Sequence, residues 1–435
     1  MITASHNEFN SPFEIDNQFQ TFEEIKEKYY TIKEKTNFIV EEIPLNSLEK
    51  WIVSPTDISH ESGKFFKIEG LRVNTNYGNV NTWDQPIINQ AEIGVLGIIT
   101  KIFNGTRYFL MQFKMEPGNI NILQLSPTVQ ATKSNFSQVH KGKATTFLEY
   151  FVRNSNTKVL IDQLQSEQGG RFLRKRNRNM IVEILDNPTI PENFVWITLP
   201  EIRKCLEIEN FVNMDARSVL SSIPIKTSFG TPKYSDQDII QWYIDKKVYY
   251  ELDVNKIQLN EMVNWEITNE SICSSERFFS VIGARIQIGN REISSWTQPL
   301  FKDFNEGMIG LITKKINGES HYLFQAKVLP GNMDIIDFSP TISVSNHSYV
   351  FNSNDLPIFF DNFFEKGNSK ILYKTKQSEE GGRFFHFQNI NMIIEVFDEI
   401  EVPDDYMWLS SNQINNLMPY GMFNIESRSL ISTLI

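Results

Sequence analysis

Two short segments hold the side chains best suited to chemistry. In QFKMEPGN, from Gln112 to Asn119, Lys114 and Glu116 are alternate residues at the end of a predicted strand, and alternate strand residues point to one face. A cation beside a carboxylate suits proton transfer, with Glu116 as the base; the simpler reading is that Glu116-Pro117 opens a turn toward Gly118. In QSEQGGRF, from Gln165 to Phe172, Glu167 is a second carboxylate candidate. Capping backbone amides around Gly169-Gly170 would explain it equally well. Arg171, Arg174, Lys175, Arg176 and Arg178 then crowd together. Guanidinium groups bind phosphate oxygens through paired hydrogen bonds, which makes Arg171 and Arg178 candidates for an anionic ligand. A solvated basic face is the usual fate of such a charge run. Trp83 and Trp296 could stack on a base or sugar, or fill the core. Thr128, Gln130, Thr132 and Asn135 form a polar stretch suited to sugar hydroxyls or base edges, and Gln112, Gln165 and Asn179 are further polar positions in these blocks. Tyr108 could serve as a phenolic acid, although a strand aromatic is the plainer reading.

The elements that position these residues occur twice. Trp83, Gln85 and Pro86 return as Trp296, Gln298 and Pro299; QFKMEPGN returns as QAKVLPGN from Gln325 to Asn332; QSEQGGRF returns as QSEEGGRF from Gln377 to Phe384. Ile43, Leu45, Asn46 and Trp51 match Ile257, Leu259, Asn260 and Trp265, and Arg217-Ser218 matches Arg428-Ser429. A duplication on this scale organises the whole chain, with modules over 1–225 and 226–435. The copies are unequal. Leu329 stands in place of Glu116 and Ile390 in place of Arg178, whereas Arg383 matches Arg171. Chemistry in the first module and an auxiliary or vestigial pocket in the second would account for this.

Within one module, Phe22–Lys35 has helical spacing and Asn46 is placed to cap a short segment ending at Trp51. Segments 65–73, 93–103, 108–114, 120–125 and 179–185 read as strands, with Asn104-Gly105 as a hairpin turn, and a helix is predicted within 146–168. Helix, strands, helix, strand predicts an α+β fold in which each mixed sheet carries helices on its faces. The chain has 435 residues, 40% of them hydrophobic, enough for more than one core. A formal charge of −11 argues against nucleic acid as a partner, since phosphate neutralisation needs an extended basic surface. The polar start, Met1 to Asn10, does not read as a signal peptide, and the longest apolar run, 93–99, is too short to cross a bilayer. These features predict a cytoplasmic protein with no membrane association. Cys205 and Cys273 have no metal-ligand spacing and read as buried small residues. Dinucleotide, Walker, nucleophile-elbow and HExxH motifs are absent from the sequence.

The blocks from Gln112 to Asn135 and from Leu164 to Met180, present in order and repeated, closely resemble the NDP-hexose 2,3-dehydratase family of deoxysugar biosynthesis. The resemblance implies two fused Nudix-like modules, a homodimer, no cofactor, and a dTDP-linked or other NDP-linked 4-keto-6-deoxyhexose as substrate. The implied reaction removes the C3 proton, made acidic by the C4 ketone, and expels the C2 hydroxyl. Lys114, Glu116 and Glu167 are then the catalytic candidates. An NAD(P)H-dependent ketoreductase is implied to consume the diketone product. Nudix hydrolases hold Mg²⁺ through a helix of pattern REUxEExG; here Asp162, Gln163 and Ser166 replace its Arg and first carboxylates, so metal-dependent hydrolysis is not expected. A non-catalytic nucleotide-sugar binder is the alternative.

Overall fold

A computed structural model describes residues 2–3, 9, 17–132, 145–152, 156–227, 229–275, 279–289, 295–344, 357–364 and 368–435. The first long helix, α1 (Phe22–Lys35), has the predicted bounds. Thr21 and Glu24 form a reciprocal capping box, Glu23 and Glu24 begin the helix, and Lys33 and Lys35 end it. These charges complement the helix dipole. Ile25 and Tyr29, one turn apart, are its buried residues.

Strand β1 (Phe38–Ile43) follows, then β2 (Lys67–Thr75) and β3 (Thr82–Asn89). The hairpin of β4 (Gly94–Phe103) and β5 (Thr106–Met115) turns at Asn104 and Gly105, whose φ values of 50° and 82° suit a two-residue turn. Strands β6 (Leu123–Ser126) and β7 (Val129–Ala131) come next. The helix predicted within 146–168 is replaced, from Thr157 to Ser166, by strand β8, which pairs antiparallel with β9 (Arg176–Ile184). Pairing with β9 outweighs the local helix preference of this stretch. The segment compared with the metal-binding Nudix helix is therefore strand. Asn46 lies in a single 3₁₀ turn, Leu45–Ser47, that has no side-chain cap.

An eight-stranded sheet orders β8, β9, β4, β5 and β10 (Phe194–Thr198), with a short strand, Ile2–Thr3, beside β8, and with β7 on β4 and β6 on β5. Only β9 and β4 run parallel. Helices α2 (Leu199–Leu206) and α3 (Met214–Leu220) close the repeat. The second repeat opens with α4 (Asp236–Tyr249) and β11 (Leu252–Ile257), includes β12 (Phe279–Ile288), and rebuilds the main sheet with seven strands. The fold is mixed α+β, rich in sheet.

The repeats are interlocked. Strand β1 pairs with β12 of the second repeat, and β11 pairs with β2 of the first, so each repeat completes a small sheet of the other. The Trp51 indole donates to the Thr297 carbonyl at 2.9 Å and its counterpart Trp265 to that of Asp84 at 2.6 Å. Arg217 and Arg428, both fully buried, reach across to Ser429 and Ser218. One hydrophobic core runs through both halves, from Phe109 and Val219 to Phe324 and Leu430.

The glycine of each PGN turn lies against the GGRF turn of the other repeat. Gly118 N–H donates to Gly381 O and Gly331 N–H to Gly169 O, both at 2.7 Å. A β-carbon on Gly118 would lie 1.5 Å from Phe384 O, and one on Gly331 1.8 Å from Phe172 O. Only glycine fits. Gly331→Ala is expected to cost about 2–4 kcal/mol, read from the urea midpoint. Gly170→Ala, where a β-carbon meets nothing within 4 Å, should stay within about 0.5 kcal/mol.

Candidate active site

Where the PGN turn of the first repeat meets the GGRF turn of the second, a cavity of about 270 Å³ opens, near the lower limit for small-molecule sites. The end of β5 supplies Lys114 and Glu116, β7 supplies Gln130, and the end of β8 leads to Glu167. Lys175 and Asn177 flank the start of β9, and Asp215 lies in the first turn of α3. The second repeat contributes Glu380, Gly382 and Arg383.

Lys114 and Glu116 share a face, as their alternation predicts. Lys114 Nζ lies 3.0 Å from Glu116 Oε1 and 2.8 Å from Gln130 Oε1, and Gln130 Nε2 donates to Glu116 Oε1 at 3.2 Å. Gln130 also bonds Asp215. Glu116 Oε2 is buried without a close hydrogen-bond partner. Burial pushes the Glu116 carboxyl up, but the Lys114 charge and hydrogen bond, with Gln130 and a weaker contribution from Asn213, hold it below the ordinary carboxylate range. The other acids move oppositely, because several carboxylates in one dry space cannot all ionise. Burial raises Asp215 well up, with Glu167, Glu380 and Glu116 adding to the effect. Burial also raises Glu167, against Arg428, Lys175 and Asn177. Glu380 is pushed up to about 7 by burial and by Glu167 and Glu116, against Arg383 and Lys114. Desolvation lowers Lys175, opposed by Glu167. One carboxylate favoured in its charged form beside others that hold their protons more tightly is an arrangement suited to general acid–base chemistry.

Of the other predicted residues, Thr132 and Arg383 line the cavity and most of the rest are committed elsewhere. Arg171 is fully buried over the Phe279 ring, 3.5 Å from its centroid, and pairs with Asp303 at 3.3 Å. Its charge is matched inside the protein and does not face the cavity. Arg178 holds Asp162 through two hydrogen bonds of 2.7 and 2.5 Å along neighbouring strands, outside the cavity lining. Trp83 and Trp296 donate to Gln85 and Gln298, which in turn bond the carbonyls of Gly170 and Gly382. The WxQ motif thus braces the glycine turns. Thr128 accepts from Ile99 N–H and donates to Leu110 O, tying β4 to β5, as Thr341 does in the other repeat. Gln165 bonds Met418 O and Asn179 bonds Ser218, both in the interior. Gln112 pairs in β5 opposite Ser126 and Phe194, outside the lining. Arg383 does line the cavity, with Nη2 3.0 Å from Gln90 Oε1 and its guanidinium over Phe66. Asn135 lies outside the described residues. Tyr108 is buried and accepts from Gln18 N–H. Cys205 is buried and Cys273 only half-buried.

Asp215, Lys175, Gln90 and Glu380 were not singled out individually as site residues by the sequence. A signal for Asp215 existed, since it precedes the repeated Arg217-Ser218 pair and has an acidic counterpart, Glu426. Among the described residues, no three His, Cys, Asp or Glu side chains are grouped to hold a metal.

Fold and cavity together define an internally duplicated protein with a cavity lined by buried acids and bases. The description "NDP-hexose 2,3-dehydratase" belongs to the family model that matches residues 23–223 and again 236–434, and the chain is a member of that family. It is 38% identical over 429 residues to the dTDP-4-dehydro-6-deoxy-alpha-D-glucopyranose 2,3-dehydratase of Saccharopolyspora spinosa, covering 92% of this chain and 88% of that one. Proteins of the same description from Amycolatopsis orientalis and Streptomyces violaceoruber are 37% and 36% identical, covering 91% and 89% of this chain and 86% and 91% of theirs.

The buried acids carry a pH signature. Burial raises Glu379 to about 8, with Glu426 adding and Arg217 opposing, and Glu380 to about 7, from an ordinary value of 4.5. Such groups contribute stability that is fully present below the unfolded value and lost as pH rises through the folded one. The urea midpoint is expected to fall between pH 5 and about pH 8, less steeply in Glu379→Gln. A midpoint that rises across this window in the wild type would contradict the assignment.

Proposed function

We propose that this protein removes water across C2 and C3 of a dTDP-linked 4-keto-6-deoxyhexose. The observation that carries the proposal is the Lys114–Glu116–Gln130 cluster, a buried carboxylate held in its charged form with one oxygen left over, facing a cavity whose other acids hold their protons more tightly than usual. The family membership supplies the reaction class, and the relatives' names supply the nucleotide.

Glu116 takes the proton from C3, which the C4 ketone acidifies, and the resulting enolate expels the C2 hydroxyl. The enol then tautomerises to a 3,4-diketo-2,6-dideoxy sugar. Lys114 and Gln130 keep Glu116 charged and aimed. Lys175 and Arg383 bring positive charge to the cavity wall, where a developing enolate or the diphosphate requires it. The first repeat, 1–225, carries the base, and the second, 226–435, lends the turn that closes the cavity together with the side chains on it.

Several further parts of this reading rest on family resemblance or on the chemistry of the product. A vicinal diketone is reactive, which supports prompt reduction by an NAD(P)H-dependent ketoreductase. A cytoplasmic homodimer fits the resemblance, and among the described residues no helix is long and apolar enough to cross a membrane. A Nudix-type descent of each repeat has the family resemblance as its support and gains none from the strand at 157–166.

Incubation of the protein with dTDP-4-keto-6-deoxyglucose in deuterated water, with and without EDTA, followed by NMR, tests the function. Loss of the C3 proton and appearance of the 2-deoxy diketone or its breakdown products in both samples is expected; an intact sugar would contradict the proposal. Lys114→Met removes the charge that lowers Glu116, so the acid limb of kcat/KM should move to higher pH. An unmoved limb would show that Glu116 is not the titrating base.

A further inference from the structure

We propose that Glu380, delivered by the second repeat into the cavity of the first, is the general acid that protonates the departing C2 hydroxyl. This assignment rests on the dehydratase reading and completes it, since expulsion of hydroxide from a dry cavity needs a proton donor.

The geometry fixes the two carboxyl groups in one space. Glu116 and Gly118 flank Pro117, and Gly118 is clamped at both its N–H and its carbonyl by Gly381 O and His386 N–H, each at 2.7 Å. Glu380 immediately precedes Gly381 and lines the same cavity as Glu116. Gly382 leaves room for it, because a β-carbon there would lie 2.6 Å from Glu380 Oε1. The Glu380 side chain is only half-buried, and among the described residues its carboxyl forms no hydrogen bond or ion pair. It is free to meet a substrate.

The duplication supplies an internal control. At the reciprocal junction, the residue in the place of Glu116 is Leu329, and the residue in the place of Glu380 is Gln168, whose amide donates to Glu379 at 3.3 Å. Lys175 is replaced there by Phe387, and the Gln90–Arg383 contact by the Asp303–Arg171 pair. The other cavity acids do not follow this pattern. Glu167 is matched by Glu379, each bonded by an asparagine, Asn177 or Asn389, and Asp215 is matched by Glu426. Glu116 and Glu380 are thus the carboxylates present together at one junction and lost together at the other. A base and an acid that serve one reaction behave this way; a carboxylate kept for folding has no reason to disappear with its partner. The raised affinity of Glu380 for its proton, near 7 by burial and by the neighbouring Glu167 and Glu116, agrees with a donor.

The step balances. Glu116 accepts the C3 proton, and the C3–H electron pair forms the enolate. The C2–O bond then breaks as Glu380 gives up its proton, so that water leaves, C2=C3 forms and the C4 carbonyl is restored. During tautomerisation the C3 hydroxyl releases a proton and C2 gains one. Transfer of a proton from Glu116 to Glu380 through solvent resets the pair.

The test separates the two half-steps in the full-length chain. Glu380→Gln should lower kcat for dehydration of dTDP-4-keto-6-deoxyglucose by about 10² or more, while deuterium exchange at C3 in D₂O stays within about threefold of the wild type. Glu116→Gln should lose both. Glu380→Asp, which keeps an acid, should recover part of the dehydration rate, whereas a merely structural Glu380 would give two variants that unfold at lower temperature and fail alike. Dehydration by Glu380→Gln within threefold of wild type, or loss of its C3 exchange, overturns the assignment. A wild-type protein that leaves the sugar intact overturns the dehydratase reading itself.

Discussion

The rest of the molecule depends on the reciprocal docking of two backbone turns that have no room for a β-carbon. Gly118 and Gly331 each lie against a carbonyl of the opposite repeat, and the backbone bonds formed there are internal and fully desolvated. Such bonds leave little freedom for the repeats to slide. The exchanged strands β1 and β11, the Trp51 and Trp265 indoles and the two buried arginines reinforce one relative position. Precision at the cavity follows from this, because its acids come from different repeats and are held by these bonds.

Duplication also explains how the cavity reached its charge pattern. Two equivalent junctions exist, and the sequence is free to spend one on folding. At the junction holding Leu329, Phe387 joins the core beneath the small sheets and Arg171 is neutralised by Asp303. At the junction holding Glu116, buried polar groups remain underused, including Glu116 Oε2 and Glu167 Oε2. Buried acid oxygens that lack partners are expensive for stability, and those of Glu116 and Glu167 lie in the cavity lining, where a ligand can satisfy them.

Much of this was legible in the residues. The repeat, helix α1, the Asn104-Gly105 hairpin and the Lys114–Glu116 pair follow from local spacing, and local spacing is what a sequence states directly. The role of Arg171 was not legible. A basic run signals an anion site only if its charges are unpaired, and the Asp303 that pairs with Arg171 lies far along the chain. Trp83 and Trp296 read as stacking platforms or core residues, and the relay from each indole N–H through Gln to a glycine carbonyl was not legible for a related reason, since its last partner lies far along the chain. The strand Thr157–Ser166 was missed because its pairing with β9 outweighs local preference. Glu380 and Asp215 reach the cavity through long-range packing alone.

The most direct measurement of the central claim is a crystal structure with a dTDP-linked 4-keto sugar that lacks the C2 hydroxyl and so cannot be dehydrated. The account places C3 within about 3.5 Å of Glu116 Oε2, the separation of a near-attack geometry, with C2 turned toward Glu380. A sugar seated at the Leu329 junction, or one whose C3 faces away from Glu116, would contradict it.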